Sequence, residues 1–286
     1  MQTNIPESNP EASAHCSMTT GGVCLSQGQY SEALQHFKSA LKTQQKYFLP
    51  NNPSLAVTQS YIADAYYKQD QFKESLSYHL KALEIEQNSL SKDHPSIAAS
   101  YFSISKDYAG LSFWSDALEY GLKAIEQIKR SSQSDLETLA TLTDHIGQIY
   151  YGRDEYEMAL KYYKEALDLC LTYLPDNDAS LVGVYYRTAE TYYKLERYND
   201  ALSFYQKALD IELKTLPNDA KTIATSYSDI SASYVGLEQF DEALVAMDQA
   251  YEQLLKTLPY NHPEVVQYRE TLDSIKMIQL VRERED

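Results

Sequence analysis

Between Gly147 and Ala166 the chain reads GQIYYGRDEYEMALKYYKEA. Five of its positions recur along the chain at a spacing of 42 residues. Tyr156 has counterparts at Tyr30, Phe72, Trp114, Tyr198 and Phe240. Ala166 repeats as Ala40, Ala82, Ala124, Ala208 and Ala250, and Leu160 as Leu34, Leu76, Leu118, Leu202 and Leu244. Tyr150 shares its column with Tyr66, Tyr108, Tyr192, Tyr234 and, in the first copy, Cys24. Gly147 shares its own with Gly21, Ala63, Ser105, Ala189 and Ser231, all small. Six copies without an insertion exclude chance, and a fixed period of this size marks stacked supersecondary repeats.

Each copy reads as two helices. Ser54 to Gln69 carries Ile62, Ala65, Tyr66 and Tyr67 on a helical stripe, and Phe72 to Gln87 carries Leu76, Leu80, Leu83 and Ile85. The polar turn Lys68 to Gln71 joins them. Between copies lie Asn52-Pro53, His94-Pro95 and His262-Pro263, where a proline at the first helical position loses no hydrogen bond. Asn52 is placed to cap its helix. The Leu174-Pro175, Leu216-Pro217 and Leu258-Pro259 pairs stop the preceding helices. Where the two helices of a pair cross, a bulky side chain would force them apart. The Gly147 column and Ala33, Ala117, Ala159, Ala201 and Ala243 supply that close contact, and the Tyr150 column is expected to be core. One copy alone cannot bury its apolar face, so stacking makes the core.

These residues resemble the tetratricopeptide repeat, whose pattern places a small residue, a tyrosine three later, an aromatic nine later, and alanines twelve and nineteen later. The 42-residue period and the Leu-Pro and His-Pro links are most similar to the kinesin-light-chain type. The resemblance implies an all-α fold: a right-handed α-solenoid of six helix-turn-helix units plus a C-terminal capping helix, thirteen helices in total. Residues 1–12 are expected to be disordered, 13–263 to form the six repeats, and 264–286 the cap. Asp273 and Lys276 fall in the small and tyrosine columns of the cap, so that helix is expected to expose polar residues. Heptads, which join light chains to their motor, are absent, so the chain is not expected to be a complete light chain.

Composition narrows the function. The 286 residues carry 25 Lys plus Arg against 41 Asp plus Glu, a net charge of −16. Such a surface repels a phosphate backbone and anionic lipid alike. No apolar run approaches the roughly 18 residues of a membrane span, and the polar N-terminus with Pro6 and Pro10 is no secretory signal. Three cysteines at no metal-ligand spacing fit free thiols in a reducing cytosol, without zinc.

The family binds its ligands on the first helices, and the resemblance points certain columns inward. The expected peptide-binding residues are Tyr61, Asp64, Tyr67, Lys68, Phe102, Lys106, Asp144, Gln148, Tyr151, Tyr186, Arg187, Glu190, Tyr193 and Lys194. Four of these are cations and four positions of the wider lining are anions, so the lining is near neutral. Tyr67, Tyr151 and Tyr193 share one column, where each offers either recognition area or packing between first helices. The column that holds asparagine in chaperone carboxylate clamps reads Gly22, Asp64, Lys106, Gln148, Glu190 and Ala232, so that clamp is not expected. Kinesin-light-chain repeats are Asn-rich on this face and these are not, so an acidic-tryptophan cargo motif does not transfer.

Catalytic motifs are missing: no HExxH, Gly-rich phosphate loop or nucleophile elbow occurs. His94 and His262 occupy equivalent links, His79 reads as a core filler, and His145 is expected to face the groove near Asp144. The expectation is therefore a cytoplasmic, monomeric, non-enzymatic adaptor without cofactor or metal, binding a protein or peptide partner. Self-assembly through the convex face or the ends is the alternative.

Overall fold

The computed structural model describes residues 10–130, 135–216 and 218–285, with side chains placed through Arg282. Thirteen helices and no strand occur among the described residues. They are α1 (Pro10–Ser26), α2 (Tyr30–Tyr47), α3 (Pro53–Tyr67), α4 (Phe72–Ser89), α5 (Pro95–Gly110), α6 (Trp114–Arg130), α7 (Leu136–Gly152), α8 (Tyr156–Tyr173), α9 (Leu181–Lys194), α10 (Tyr198–Thr215), α11 (Ala220–Gly236), α12 (Phe240–Leu255) and α13 (Pro263–Glu285). From α1 to α7, and again from α8 to α13, each helix packs on the next, the consecutive packing of a tetratricopeptide solenoid. The chain forms two compact units, Met1–Gly152 and Arg153–Asp286. Helix α1 starts at Pro10, inside the stretch 1–12 read as disordered; residues 1–9 and Pro217 lie outside the described residues.

The repeat positions behave as steric columns. Ala63, Ser105, Ala189 and Ser231 are fully buried, as are Ala33, Ala117, Ala159, Ala201 and Ala243. A Cβ on Gly21 would come within 2.5 Å of the Phe37 ring, which shows how close the paired helices run. Ser105 and Ser231 use the same closeness to donate to the carbonyls of Ala117 and Ala243, at 2.6 and 2.7 Å. The turn inside each pair carries one left-handed residue: Gly28, then Asp70, Ser112, Asp154, Glu196 and Glu238, with φ between 57° and 76°. The tyrosine column is less buried than expected. Only Tyr192 is fully buried, while Tyr66, Tyr108, Tyr150 and Tyr234 keep part of their rings at the surface.

The links are capped as their residues dictate. The Asn52 side chain accepts from Ser54 N at 2.9 Å, and His94 Nδ1 and His262 Nδ1 do the same for Ser96 N and Glu264 N. A free N–H at a helix start needs such a partner.

Two features depart from the sequence reading. At the end of α13, Asp273 and Lys276 are exposed as expected, but so are Met277, Ile278, Leu280 and Val281. The cap has an apolar strip because α13 runs 23 residues, past the point where earlier first helices turn. Second, the repeats meet through differing chemistries at one pair of columns. Glu86 receives a hydrogen bond from Ser100 at 2.5 Å, and Glu212 from Ser226 at 2.6 Å. The equivalent positions elsewhere hold Gln44 with Thr58, Ile128 with Leu142 and Cys170 with Val184, all buried, and Leu254 with the half-buried Tyr268.

Candidate functional site

In the first compact unit, α3, α5 and α7 bring five of the expected residues around one cavity of about 340 Å³: Tyr67, Phe102, Lys106, Asp144 and Gln148. They meet because they sit on successive first helices, at positions that the 42-residue period holds in register. The Lys106 ammonium lies between two rings, 4.9 Å from the centroid of Phe102 and 5.4 Å from that of Tyr67. Half-buried cations on aromatic faces gain about 1 kcal/mol or more. Tyr67 in turn packs edge-on against Phe72, at 5.3 Å between centroids. Burial first, then the charges of Asp107 and Asp70, push its hydroxyl pKa above the ordinary tyrosine value. Asp144 is buried and accepts from Gln148 Nε2 at 2.8 Å.

Trp114 also lines this cavity, which the sequence reading had placed only in the repeat's aromatic column. Gly152 makes room for it, since a Cβ there would come within 2.6 Å of the indole. His145 forms part of the wall but is itself buried, edge-on to Phe102 at 5.2 Å. Its Nε2 lies 2.9 Å from Ser105 Oγ. Because that hydroxyl donates to Ala117 O, the oxygen accepts from His145, which fixes the Nε2–H tautomer. Burial, helped by Lys106, pushes the imidazole down to about 4, so it is neutral at pH 7.

The other expected residues of this unit lie outside the cavity lining. Tyr61 is exposed and stacks on Phe37 at 5.3 Å. Asp64 is half-buried beside His79, Lys68 is exposed, and Tyr151 is half-buried. In the second unit, Tyr186 donates to Asp229 at 2.5 Å and packs edge-on to Tyr205. Burial raises both the Tyr186 hydroxyl and the Asp229 carboxyl, the former helped by the hydrogen bond and charge of Asp229, the latter by Glu190. Tyr193 lies edge-on to Tyr198 at 5.4 Å. Arg187 and Glu190 are half-buried, the former with its guanidinium over Gly183, and Lys194 is exposed.

One cluster was missed entirely. His79 does fill the core, but it does so as the centre of a polar network. Its Nδ1 is 2.6 Å from Asp107 and 3.4 Å from Ser75 Oγ, and its Nε2 is 3.7 Å from Asp64. Ser75 donates to the other oxygen of Asp107 at 2.6 Å. Burial alone would lower the imidazolium pKa, yet the hydrogen bonds and charges of Asp107 and Asp64 outweigh it and raise it. Serine, histidine and aspartate together do not make a nucleophile here. The hydroxyl is bonded to the carboxylate, both share Nδ1, and Ser75 is fully buried. The signal was present: Ser75 stands in an alanine column, and Asp107 in the column of Ala65, Ile149, Thr191 and Ser233.

Among the described residues, no group of three or more His, Cys, Asp or Glu is placed to hold a metal ion, and no helix is long and apolar enough to cross a membrane. The family profile described as tetratricopeptide repeat matches residues 12–85, 54–130, 137–214 and 180–256. The chain is a tetratricopeptide-repeat protein. Comparison with curated proteins finds no match. Solved structures show the same fold. The nearly identical repeats of a putative kinesin light chain from Podosopora anserina align with 17% identity over 73% of this chain and 98% of that one, at a TM-score of 0.63. BtubC (BKLC) from P. vanneervenii aligns with 18% identity over 90% and 96%, at 0.64. A Rap protein complexed with competence and sporulation factor aligns with 16% identity over 96% and 78%, at 0.62. At these identities the likeness is one of fold alone.

Proposed function

We propose that this tetratricopeptide-repeat protein is a non-enzymatic, cytoplasmic adaptor that holds a peptide or helix of a partner protein on its first helices. One observation carries the reading: the cavity of about 340 Å³ lined by Tyr67, Phe102 and Trp114, with the Lys106 ammonium over the rings of Tyr67 and Phe102. Rigid rings give contact area at little entropic cost, while Lys106, Gln148 and Asp144 orient the ligand's polar groups. Tyr61, Lys68 and Tyr151 extend this surface within the first unit, and in the second unit Tyr186, Arg187, Glu190, Tyr193 and Lys194 are the corresponding candidates. A Rap protein of the same fold is complexed with a factor, which is in keeping with ligand binding.

The test is affinity capture from native lysate with wild type and with the Tyr67→Ala, Tyr193→Ala double mutant, after circular dichroism establishes equal helicity. Partners lost only in the mutant support the reading. Partners retained by both overturn the site assignment, and loss of helicity shows that the two tyrosines are packing residues.

The apolar strip Met277, Ile278, Leu280 and Val281 on α13 favours a second reading, self-assembly through the C-terminal end. A molar mass that stays that of one chain across a hundredfold concentration range removes it, by mass action.

A further inference from the structure

A second cavity, of about 450 Å³, lies in the second compact unit between α10 and α12, with α11 as its third wall. None of its lining residues is among the groove positions above. The repeat itself reveals what this cavity lacks. In three earlier repeats the ring of the Tyr234 column is covered by an aromatic residue twelve positions later. Tyr66 stacks on Tyr78 at 5.8 Å, Tyr108 on Tyr120 at 5.5 Å, and Tyr192 lies against Phe204 at 5.5 Å. Each of these three rings in turn carries a lysine three residues further on, where the fourth repeat has Glu165 after Tyr162. Lys81, Lys123 and Lys207 sit 4.9, 4.7 and 4.9 Å from the centroids of those rings. A separate lysine lies over the column itself at Tyr66 and Tyr192, from Lys38 at 4.9 Å and Lys164 at 5.0 Å.

At Tyr234 all three covers are replaced. Ala246 stands where the ring would be, Gln249 where its lysine would be, and Gln206 where Lys38 and Lys164 stand. All three line the cavity, so the cavity is the volume of a missing ring and its missing cations. Its mouth carries two carboxylates, Asp241 and Glu242, both exposed, and no lining residue is basic. Gln279 of α13 donates to Asp241 at 2.9 Å and orients it. Val245, at the edge, is 61% exposed.

We propose that this cavity receives an arginine side chain presented by a basic segment of a partner protein. A guanidinium is planar, so it stacks on the tyrosine face in place of the missing ring, and it restores the missing positive charge. Its fork of donors meets the carboxylates of Asp241 and Glu242. The chain holds its own example of this contact: the Arg197 guanidinium lies 4.7 Å from the ring centroid of Tyr192, in the same column. Lysine brings the charge without the plane, and a neutral ring brings the plane without the charge. The net charge of −16 draws a basic segment in from a distance. The proposal stands apart from the groove reading, because it uses other residues and another cavity.

The test uses the full chain with ¹³C-methyl alanine and valine, followed by NMR at about 0.15 M salt so that diffuse attraction is screened. The probes are the peptide acetyl-Gly-Ser-Arg-Ser-Gly-amide and its lysine and citrulline versions. The arginine peptide is expected to shift the Ala246 and Val245 methyls saturably. Lysine should bind about threefold more weakly, and citrulline, which keeps the shape and loses the charge, about tenfold or more. Glu242→Gln should weaken the arginine peptide by about threefold or more. The double variant Ala246→Phe, Gln249→Lys reinstates what Phe204 and Lys207 supply, and it should abolish the shifts. Citrulline binding as well as arginine overturns the proposal, as do shifts spread over the acidic surface or binding that survives in the double variant. Should that variant lose helicity, Glu242→Gln decides. Methyl shifts that follow protein concentration and ignore the peptide would give the cavity to a second copy of the chain instead.

Discussion

His79 and His145 lie in the same compact unit, are 2% and 7% exposed, and titrate in opposite directions. Burial pulls both toward the neutral ring. At His145 nothing opposes it: the neighbours are the Ser105 hydroxyl, the Phe102 edge and the Lys106 charge. At His79 the carboxylates of Asp107 on α5 and Asp64 on α3 reverse the outcome. The lesson concerns repeats. The columns set where a side chain points, and departures from the columns, taken together, set its chemistry. Ser75, His79 and Asp107 are three departures that only make sense as a group.

The strongest way to break this comparison is Asp107→Ala. It leaves an imidazolium and a hydroxyl buried without their partner, and removing one member of a buried pair costs about 3–5 kcal/mol. The equivalent position Ile149 shows that the backbone there accepts an apolar residue. Urea unfolding at pH 6 measures the loss; a change below about 1 kcal/mol would mean that the network contributes only packing.

Next in size is the acid limb of the stability profile. His145 has a folded pKa of about 4 against about 6.5 unfolded, so its contribution is complete above pH 6.5 and lost as pH falls toward 4. The two values imply a loss of about 2–3 kcal/mol across that window. His79 acts in the other sense. Its raised folded pKa gives a contribution that is complete below about 6.5 and disappears as pH rises through the raised value. Urea midpoints from pH 4 to 9 should therefore lose their acid slope in His145→Gln and their alkaline slope in Asp107→Ala. Slopes unchanged in both variants would place the titrations elsewhere.

A departure with nothing to compensate it should also be expensive. Ala166 is fully buried, in a column that holds alanine in all six repeats. Ala166→Phe is expected to cost more than about 2 kcal/mol by overpacking. A change under half that, by the same urea measurement, would contradict close packing at this column.

The period, the helix pairs, the caps at Asn52 and the small columns were legible because each depends on one column read down the chain. So was the grouping of Tyr67, Phe102, Lys106, Asp144 and Gln148, which needs only consecutive first helices in register. The His79 network and the Tyr234 cavity were not. They join positions across helices at offsets of 28, 32 and 12 residues, as in His79 with Asp107, Ser75 with Asp107, and Tyr234 with Ala246. A column says what a position tolerates, not what faces it, so His79 read alone looked like a filler and Ala246 like any other core alanine. The tail of α13 failed for a related reason: Met277 and Ile278 belong to columns whose covering helix does not follow in the described residues.

The smallest effect tests the same idea at the joints between repeats, where Glu212 with Ser226 replaces Cys170 with Val184. Burial raises the Glu212 carboxyl, and the Ser226 hydrogen bond only partly offsets it. A raised acid supports the fold fully below about pH 4.3 and progressively less as pH rises through its folded value. The joint therefore holds a buried carboxyl group that an apolar pair would do without. Ser226→Val alone leaves that carboxyl group without its donor and should cost about 1–3 kcal/mol. Glu212→Cys with Ser226→Val restores the pairing used one repeat earlier and should be neutral or stabilising, by up to about 1 kcal/mol. The pair should thus be strongly non-additive in a double-mutant cycle. Additive changes would show that the two residues occupy their columns independently, and that the repeat tolerates departures one at a time.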